Sequence, residues 1–134
     1  MADETEISFD EDTNTKNILI VEDDNKDTIL IVRQVRELFP DAKIIPTKSL
    51  SEAYQTYRQQ TINLVLLDLN LPDGYGPATV AEMRRFNRNT PIIVLTTLGN
   101  DLTVKEAMKN GANHFFLKSK ISTEEFKETL SKFL

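Results

Sequence analysis

The sequence contains no cysteine, which excludes disulfide bonds, thiolate catalysis and metals held by cysteine. Its single histidine, His114, leaves too few imidazoles for a histidine-based metal site or a catalytic triad, and an ordinary surface side chain is expected. No apolar run approaches the roughly 18 residues of a membrane span, and the acidic N-terminus is unlike a signal peptide. These absences predict a cytoplasmic protein with no membrane partner.

Basic residues are scarce in the N-terminal segment. Residues 1–16 carry six acidic side chains against one lysine, which accounts for the whole net charge of −5. This segment is predicted to be a disordered acidic tail, and residues 17–134 to be one folded domain. No basic stripe is present that could neutralise phosphates, so nucleic-acid binding is not expected. The short cluster Arg84, Arg85 and Arg88 is expected to be a solvated helix face.

Five short apolar runs predict strands buried on both faces, as in a parallel sheet covered by helices. They are Ile18–Val21, Lys43–Pro46, Leu64–Leu67, Ile92–Leu95 and His114–Leu117. Because helical stretches separate them, the chain is predicted to be an α/β protein with a flavodoxin-like, doubly wound five-stranded sheet and helices on both faces. The common strand order at this size is 2-1-3-4-5, which places a ligand crevice between the first and third strands.

Capping residues indicate where several helices begin. Ser49 with Glu52, and Ser122 with Glu125, form capping boxes at the expected starts of the second and fifth helices. Pro77 suits the first turn of the third helix. These signals support the alternation of strands and helices along the whole predicted domain.

Polar side chains follow four of the predicted strands. Glu22–Asp24 ends the first strand and Asp68 ends the third, so several carboxylates should meet at one edge of the sheet. Their mutual repulsion would be costly without a hard cation, and oxygen-rich sites of this kind suit Mg²⁺. Thr96 follows the fourth strand and Lys118 the fifth. A hydroxyl and an ammonium beside carboxylates suit a phosphoryl group carried on an aspartate.

With these residues identified, segment 17–134 resembles the receiver domain of two-component response regulators over essentially the whole predicted domain. The motifs that carry the resemblance are Ile18–Asp23, Leu66–Gly74, Ile93–Thr96 and Gly111–Lys118. Together they are far more specific than any one of them alone.

The resemblance implies a role for each matching residue. Asp68 would be the phosphoacceptor, receiving phosphate from a phosphohistidine on a sensor histidine kinase or a histidine phosphotransfer protein. Asp23 would bind Mg²⁺ directly and Glu22 through water, with Asp68 and the backbone carbonyl of Asn70 completing the metal shell; Mn²⁺ could substitute. The reaction would be self-catalysed phosphotransfer with slow autodephosphorylation, so the protein is not expected to be an enzyme in the usual sense.

The resemblance also implies a switch. Thr96 and Lys118 would contact the phosphoryl oxygens, and movement of Thr96 would let Phe115 rotate, which remodels a partner-binding face. The alternative for Phe115 is a permanently buried core aromatic. A stand-alone receiver is expected, because the fifth helix ends at the C-terminus, and its output would pass through an unknown protein target.

Three residues depart from the family pattern. Ser119 stands where proline usually follows the lysine, and a cis bond without proline costs about 2.5–4 kcal/mol, so a trans Lys118–Ser119 bond is predicted. Thr97 is bulkier than the usual alanine or glycine and should narrow access to the phosphorylated side chain. Leu98 cannot orient an attacking water. A comparatively long-lived acyl phosphate is therefore expected.

Several alternatives remain open on the sequence. An aspartyl phosphatase would need a second acid two residues after the nucleophile, where this chain has Asn70. A flavin carrier would need a hydroxyl- and glycine-rich phosphate loop, whereas Glu22–Asp24 would repel phosphate. A degenerate receiver used only for docking is disfavoured because every phosphorylation residue is present. A phosphorelay intermediate that passes its phosphate onward stays possible.

Overall fold

A computed structural model of the protein describes residues 15–97 and 99–134. The prediction of a disordered tail therefore falls almost entirely outside the described residues, as does Leu98. Five parallel strands form one sheet: β1 Asn17–Val21, β2 Lys43–Thr47, β3 Leu64–Leu67, β4 Ile92–Thr96 and β5 His114–Leu117. Their spatial order, β2-β1-β3-β4-β5, confirms the predicted flavodoxin-like topology and leaves β3 at the centre.

A helix follows each strand, as the alternating pattern predicts. The helices are α1 Asn25–Leu38, α2 Leu50–Gln59, α3 Ala78–Phe86, α4 Asp101–Lys109 and α5 Glu124–Ser131. A 3-10 turn over Lys118–Lys120 lies between β5 and α5, and the Lys118–Ser119 peptide bond is trans, which confirms that prediction.

The predicted helix caps are only partly correct. Ser49 accepts a hydrogen bond from the Glu52 N–H at 3.1 Å, but the Glu52 carboxylate accepts from the Lys48 N–H rather than from Ser49. The prediction that Ser122 caps α5 is wrong by one residue, because Thr123 holds the extended backbone and is the cap. Serine is the better N-cap by intrinsic preference, so the preceding turn decides: the N–H and the hydroxyl of Thr123 both donate to the Lys120 carbonyl.

Alternate residues along the strands point to opposite faces of the sheet, and each face has its own apolar core. Leu19 and Val21 face a cluster that includes side chains of α2, α3 and α4. Ile18 and Ile20 face a cluster that includes side chains of α1 and α5. Burying each large apolar side chain contributes about 1.5–3 kcal/mol. Both faces of the sheet are therefore covered, and its carboxyl edge is held rigidly between two cores.

The loop after β3 is tied to a neighbouring helix. Residues Asn70–Leu71 pair with Gly74–Tyr75 in a short antiparallel hairpin. The Asp73 carboxylate at its turn accepts hydrogen bonds from the backbone N–H groups of Leu50 and Ser51 at 2.9 and 3.0 Å. A carboxylate at a helix N-terminus also interacts favourably with the helix dipole. The backbone that follows Asp68 is thereby fixed against α2.

Two side chains expected at the surface are in fact engaged. Arg84 donates to the carbonyls of Gly111 at 3.0 Å and Thr90 at 2.6 Å and to the Asn113 side chain at 2.9 Å, so its prediction as a solvated residue is wrong. Arg85 and Arg88 are exposed, as predicted. His114 is half-buried rather than at the surface, because its ring stacks on that of Phe116 at 5.0 Å between centroids.

Candidate functional site

The carboxyl edge of the sheet contains an open cleft of about 850 Å³. Its lining combines residues that follow β1, β3, β4 and β5 with the first turns of α1. Among them are the following residues: Asp23, Asp27, Asp68, Asn70, Thr96, Thr97 and Lys118. A parallel sheet brings the carboxyl ends of its strands to one edge, which is why residues up to about one hundred positions apart meet here.

Asp68 lies at the floor of this cleft. It follows the central strand β3, is only 5% exposed, and is fixed by its backbone N–H, which donates to the Val21 carbonyl at 3.0 Å. One carboxylate oxygen, Oδ2, accepts from the Asn70 N–H at 3.2 Å, and the other, Oδ1, lies 3.4 Å from Lys118 Nζ. One oxygen therefore has a backbone donor and the other faces a cation.

Lys118 is the centre of a carboxylate cluster. Its ammonium lies 2.5 Å from Glu22 Oε1 and 2.7 Å from Asp27 Oδ2, closer to both than to Asp68, and its side chain is 14% exposed. Glu22 is 2% exposed; its Oε2 accepts from the Asp24 N–H at 3.1 Å, while Oε1 has no hydrogen-bond partner among the described residues besides this ion pair. A single cation thus offsets three carboxylates.

Burial and charge act in opposite directions on this cluster. Burial raises the pKa of the Glu22 carboxyl, and hydrogen bonding to Lys118 only partly offsets it. Burial likewise raises the pKa of the Asp68 carboxyl against the attraction of Lys118. For Lys118, burial alone would lower the pKa, but Asp27 and Glu22 together raise it above its ordinary value. The ammonium is therefore charged throughout the physiological range.

Asp27 is the site residue that sequence reasoning missed. It lies in the first turn of α1, where its backbone N–H donates to the capping Asp24 side chain at 2.8 Å. The available signal was the acidic run after β1, which continues into that first turn. The angle at which α1 leaves the sheet, which the sequence does not show, brings Asp27 to Lys118.

The remaining predicted residues lie around the same cleft. Thr96 is half-buried at the end of β4, where it pairs with Leu117 of β5, and Thr97 is exposed beside it. Asp23 is exposed at the rim. Phe115 is partly buried against the core cluster, and its ring lies so close to the Gly99 backbone that a Cβ there would be 2.6 Å from Cζ.

Among the described residues, the oxygen atoms of the cleft are only partly arranged to bind a cation. Within residues 15–97 and 99–134, no group of three acidic or histidine side chains is arranged as a metal cage. The reason is visible, because Glu22, Asp27 and Asp68 are turned toward the ammonium of Lys118. Asp23, Asp68 and Asn70 all line the cleft, and Asp23 is exposed at its rim.

An acidic cleft with a lysine, at the carboxyl edge of a flavodoxin-like sheet, defines a signalling module of the receiver class. The sequence model of the response regulator receiver domain matches residues 18–131, so the chain belongs to the response regulator receiver domain family. Members of this family act in two-component signalling and receive phosphate from histidine kinases, and receiver domains in general bind Mg²⁺ in the acidic pocket.

Individual relatives agree with this assignment. Response regulator Rcp1 of Synechocystis is 31% identical over 127 residues, which cover 88% of this chain and 86% of Rcp1. Transcriptional regulatory protein KdpE of Staphylococcus aureus is 31% identical over 101 residues; they cover 75% of this chain but only 42% of KdpE. A solved DNA-binding response regulator of the LuxR family from S. aureus is 26% identical, with a TM-score of 0.74 and coverage of 88% and 98%.

No helix in the part of the chain that the structure describes is long and apolar enough to cross a bilayer.

Proposed function

We propose that Asp68 accepts a phosphoryl group from a phosphohistidine on a partner kinase or phosphotransfer protein, and that this modification switches a protein-binding surface. The observation that carries the proposal is the position of Asp68, a 5% exposed carboxylate at the floor of the cleft with one oxygen 3.4 Å from an ammonium. In the reaction, a carboxylate oxygen of Asp68 forms a bond to phosphorus as the phosphorus–nitrogen bond breaks. The electron pair of the broken bond stays on the imidazole nitrogen, which takes up a proton from water.

Mg²⁺ fits the accessible side of this site. Asp23, Asp68 and the Asn70 carbonyl would hold the ion, with Glu22 acting through water. The excess of negative charge, three carboxylates against the single ammonium of Lys118, is the observation that favours a further cation here. These are hard oxygen donors of the kind that Mg²⁺ prefers, and Mn²⁺ would substitute. When bound, the ion would neutralise charge on the transferring phosphoryl oxygens.

Thr96 and Lys118 are assigned to the phosphoryl oxygens. Lys118 is already within 3.4 Å of Asp68 and carries three N–H donors, so a small movement would bring it against a phosphoryl oxygen. Thr96 lines the same cleft from the end of β4 and supplies a hydroxyl donor. Both donors would act on negative charge that is present only after transfer.

The proposed switch runs from Thr96 to Phe115. Phe115 lies on β5 beside β4, and its ring packs against Gly99 in the loop that follows Thr96 and Thr97. A Thr96 drawn toward the phosphoryl group would move this loop and the ring together. Structures with and without beryllium trifluoride test the step, because a Phe115 ring in the same rotamer in both would contradict it.

The central experiment compares labelling of two variants. Wild-type protein, Asp68→Asn and Asp41→Asn are incubated with Mg²⁺ and a labelled phosphohistidine donor, and label that survives neutral gel electrophoresis is counted. Wild type and Asp41→Asn, which removes an exposed carboxylate far from the cleft, should be labelled equally, whereas Asp68→Asn should carry essentially none. Equal label on Asp68→Asn would refute the assignment of the acceptor.

The lifetime of the modification is a second measurable consequence. Thr97 is exposed at the cleft beside Thr96, and its side chain would hinder an approaching water. We expect the label to be lost slowly from purified protein, and Thr97→Ala to lose it faster. Loss at the same rate from both would remove the proposed role of Thr97; the role predicted for Leu98 lies outside the described residues.

The partners are assigned only by chemical class. A cytoplasmic setting is part of the proposal, because the donor is a histidine kinase or phosphotransfer protein. Output would pass either through docking of a protein target or through onward transfer of the phosphate. Profiling phosphotransfer against the host's purified kinases would identify the donor, and label that moves on to a second histidine protein would favour the relay.

A further inference from the structure

Asp27 lies closer to the ammonium of Lys118 than Asp68 does. Lys118 Nζ lies 2.7 Å from Asp27 Oδ2 but 3.4 Å from Asp68 Oδ1. The Asp27 backbone is fixed in the first turn of α1 by the Asp24 cap, so its carboxylate is presented from a rigid element. Asp27 has no role in the phosphotransfer reaction proposed for Asp68, although it is one of the two carboxylates closest to the ammonium.

The geometry points to Asp27 as a positioning residue that restrains Lys118 in the unphosphorylated protein and must be exchanged for a phosphoryl oxygen when Asp68 is modified. This inference rests on the proposed phosphorylation of Asp68. The Asp27–Lys118 ion pair, called the latch below, stabilises the unphosphorylated protein. A stronger ion pair therefore makes the phosphorylated state less favourable.

The exposure of the two nearest carboxylates indicates that Lys118 exchanges Asp27, rather than Glu22, for a phosphoryl oxygen. An ammonium has three N–H donors, and in this structure Glu22 and Asp27 take the two shortest contacts. The Glu22 side chain is 2% exposed and would be left charged and buried if Lys118 moved away from it. The Asp27 side chain is 31% exposed, so water can replace the lysine there at much lower cost.

Charge gives the direction of the effect. A phosphoryl group adds negative charge beside Asp68 and competes with Asp27 for the same ammonium. Neutralising Asp27 removes that competitor and leaves Lys118 available to the phosphoryl oxygens. Asp27→Asn should therefore bind a phosphoryl analogue about two- to fivefold more tightly than wild type, which is the range expected for loss of a partly exposed ion pair.

Binding of beryllium trifluoride in saturating Mg²⁺, followed by backbone amide NMR shifts, measures this without any turnover. Asp27→Asn should bind more tightly, and Asp27→Glu, which keeps the charge, should return toward wild type. Glu37→Gln is the matched control, since it removes an exposed carboxylate from the other end of the same helix, and it should bind as wild type does. The same comparison is then made in a Lys118→Met background, where Asp27→Asn should have no further effect.

The outcomes separate the two proposals. If wild type binds the analogue but Asp27→Asn binds it equally or more weakly, the latch is wrong and the assignment of Asp68 stands. If Asp27→Asn tightens binding even with Lys118→Met, Asp27 acts through its general charge and the latch is also wrong. If wild type does not bind the analogue and Asp68 is not labelled, the proposed function itself fails.

Discussion

Two partly buried cations at opposite edges of the sheet have contrasting partners. Lys118 at the carboxyl edge contacts three carboxylates, those of Glu22, Asp27 and Asp68. Arg84 of α3 contacts neutral oxygens in the loops that lead into β4 and β5, among them the carbonyls of Gly111 and Thr90.

Because their partners differ, Lys118 belongs to a site that can rearrange, whereas Arg84 stabilises the fold. Carboxylates raise the pKa of Lys118 and compete with one another for it, so an added anion can change its pairing. Burial instead lowers the pKa of the Arg84 guanidinium, and the interaction with Tyr57 only partly opposes this loss of hydration. Its planar donors satisfy backbone carbonyls that have fixed positions.

Removing the cation at the carboxyl edge should have the largest effect. In Lys118→Met, Glu22 and Asp68 stay buried without their counter-ion, which should lower the free energy of unfolding in metal-free buffer by about 2–4 kcal/mol. Stable labelling of Asp68 should also fall sharply. Because the substitution removes a positive charge, added Mg²⁺ should replace that charge and restore much of the lost stability. Urea unfolding with and without Mg²⁺ measures both effects, and a loss that Mg²⁺ does not reduce would contradict this account.

Removing the cation at the amino edge should destabilise the fold without affecting the chemistry. In Arg84→Met, at least two backbone carbonyls and Asn113 lose a donor, so we expect a loss of about 2–3 kcal/mol. Added Mg²⁺ should not restore it, and labelling per folded molecule should match wild type. The control, Arg85→Met, removes an exposed arginine of the same helix and should change stability by less than about 0.5 kcal/mol. Recovery of Arg84→Met by Mg²⁺ would remove the contrast between the edges.

Gly111 gives a finer test of the amino edge. Its φ is +117°, and a Cβ there would lie 2.8 Å from Arg84 Cγ. Gly111→Ala should therefore cost about 1–2 kcal/mol, partly from backbone strain and partly from displacement of the arginine. In the double variant with Arg84→Ala, which removes the Cγ, Cδ and Nε atoms that a Cβ at position 111 would meet, the two single losses should sum to more than the measured total. Strict additivity would show that Gly111 acts through its backbone alone.

The sequence was sufficient for the residues whose positions depend only on the sheet. Asp68, Glu22 and Lys118 each follow an apolar run, and a parallel arrangement of those runs brings them to one edge. Asp27 was missed because its position depends on how α1 leaves β1. Arg84 was misjudged because its partners are backbone carbonyls, which every residue has and no sequence pattern marks. The cap of α5 was predicted one residue too early, at Ser122, because Ser122 offers the same hydroxyl group as Thr123.

The smallest expected effect is a dependence of stability on pH that only the carboxyl edge shows. Burial raises the pKa of Glu22 above 4.5 and that of Asp68 above 3.8, so in the folded protein both carboxyls hold protons more tightly than in the unfolded chain. Their contribution to stability is therefore fully present below the unfolded values and is lost as pH rises through the folded ones. Lys118 adds no variation there, because its ordinary pKa in the unfolded chain and its raised pKa in the folded protein both lie far above this pH range.

In metal-free buffer, the free energy of unfolding should consequently contain a part that falls as the pH rises from the ordinary pKa of these carboxyls toward neutrality. Urea midpoints across this range measure it, and the double variant Glu22→Gln with Asp68→Asn, which cannot titrate at these positions, should show a flatter curve than wild type. Arg84→Met should keep the wild-type slope, because it leaves both carboxyls in place. Mg²⁺ binds the ionised carboxylates, so adding it should reduce or reverse the fall in wild type only. Parallel curves for wild type and the double variant would mean that these two carboxyls are as well solvated as those of the unfolded chain. The proposed difference between the two edges of the sheet would then rest on the ion pairs alone.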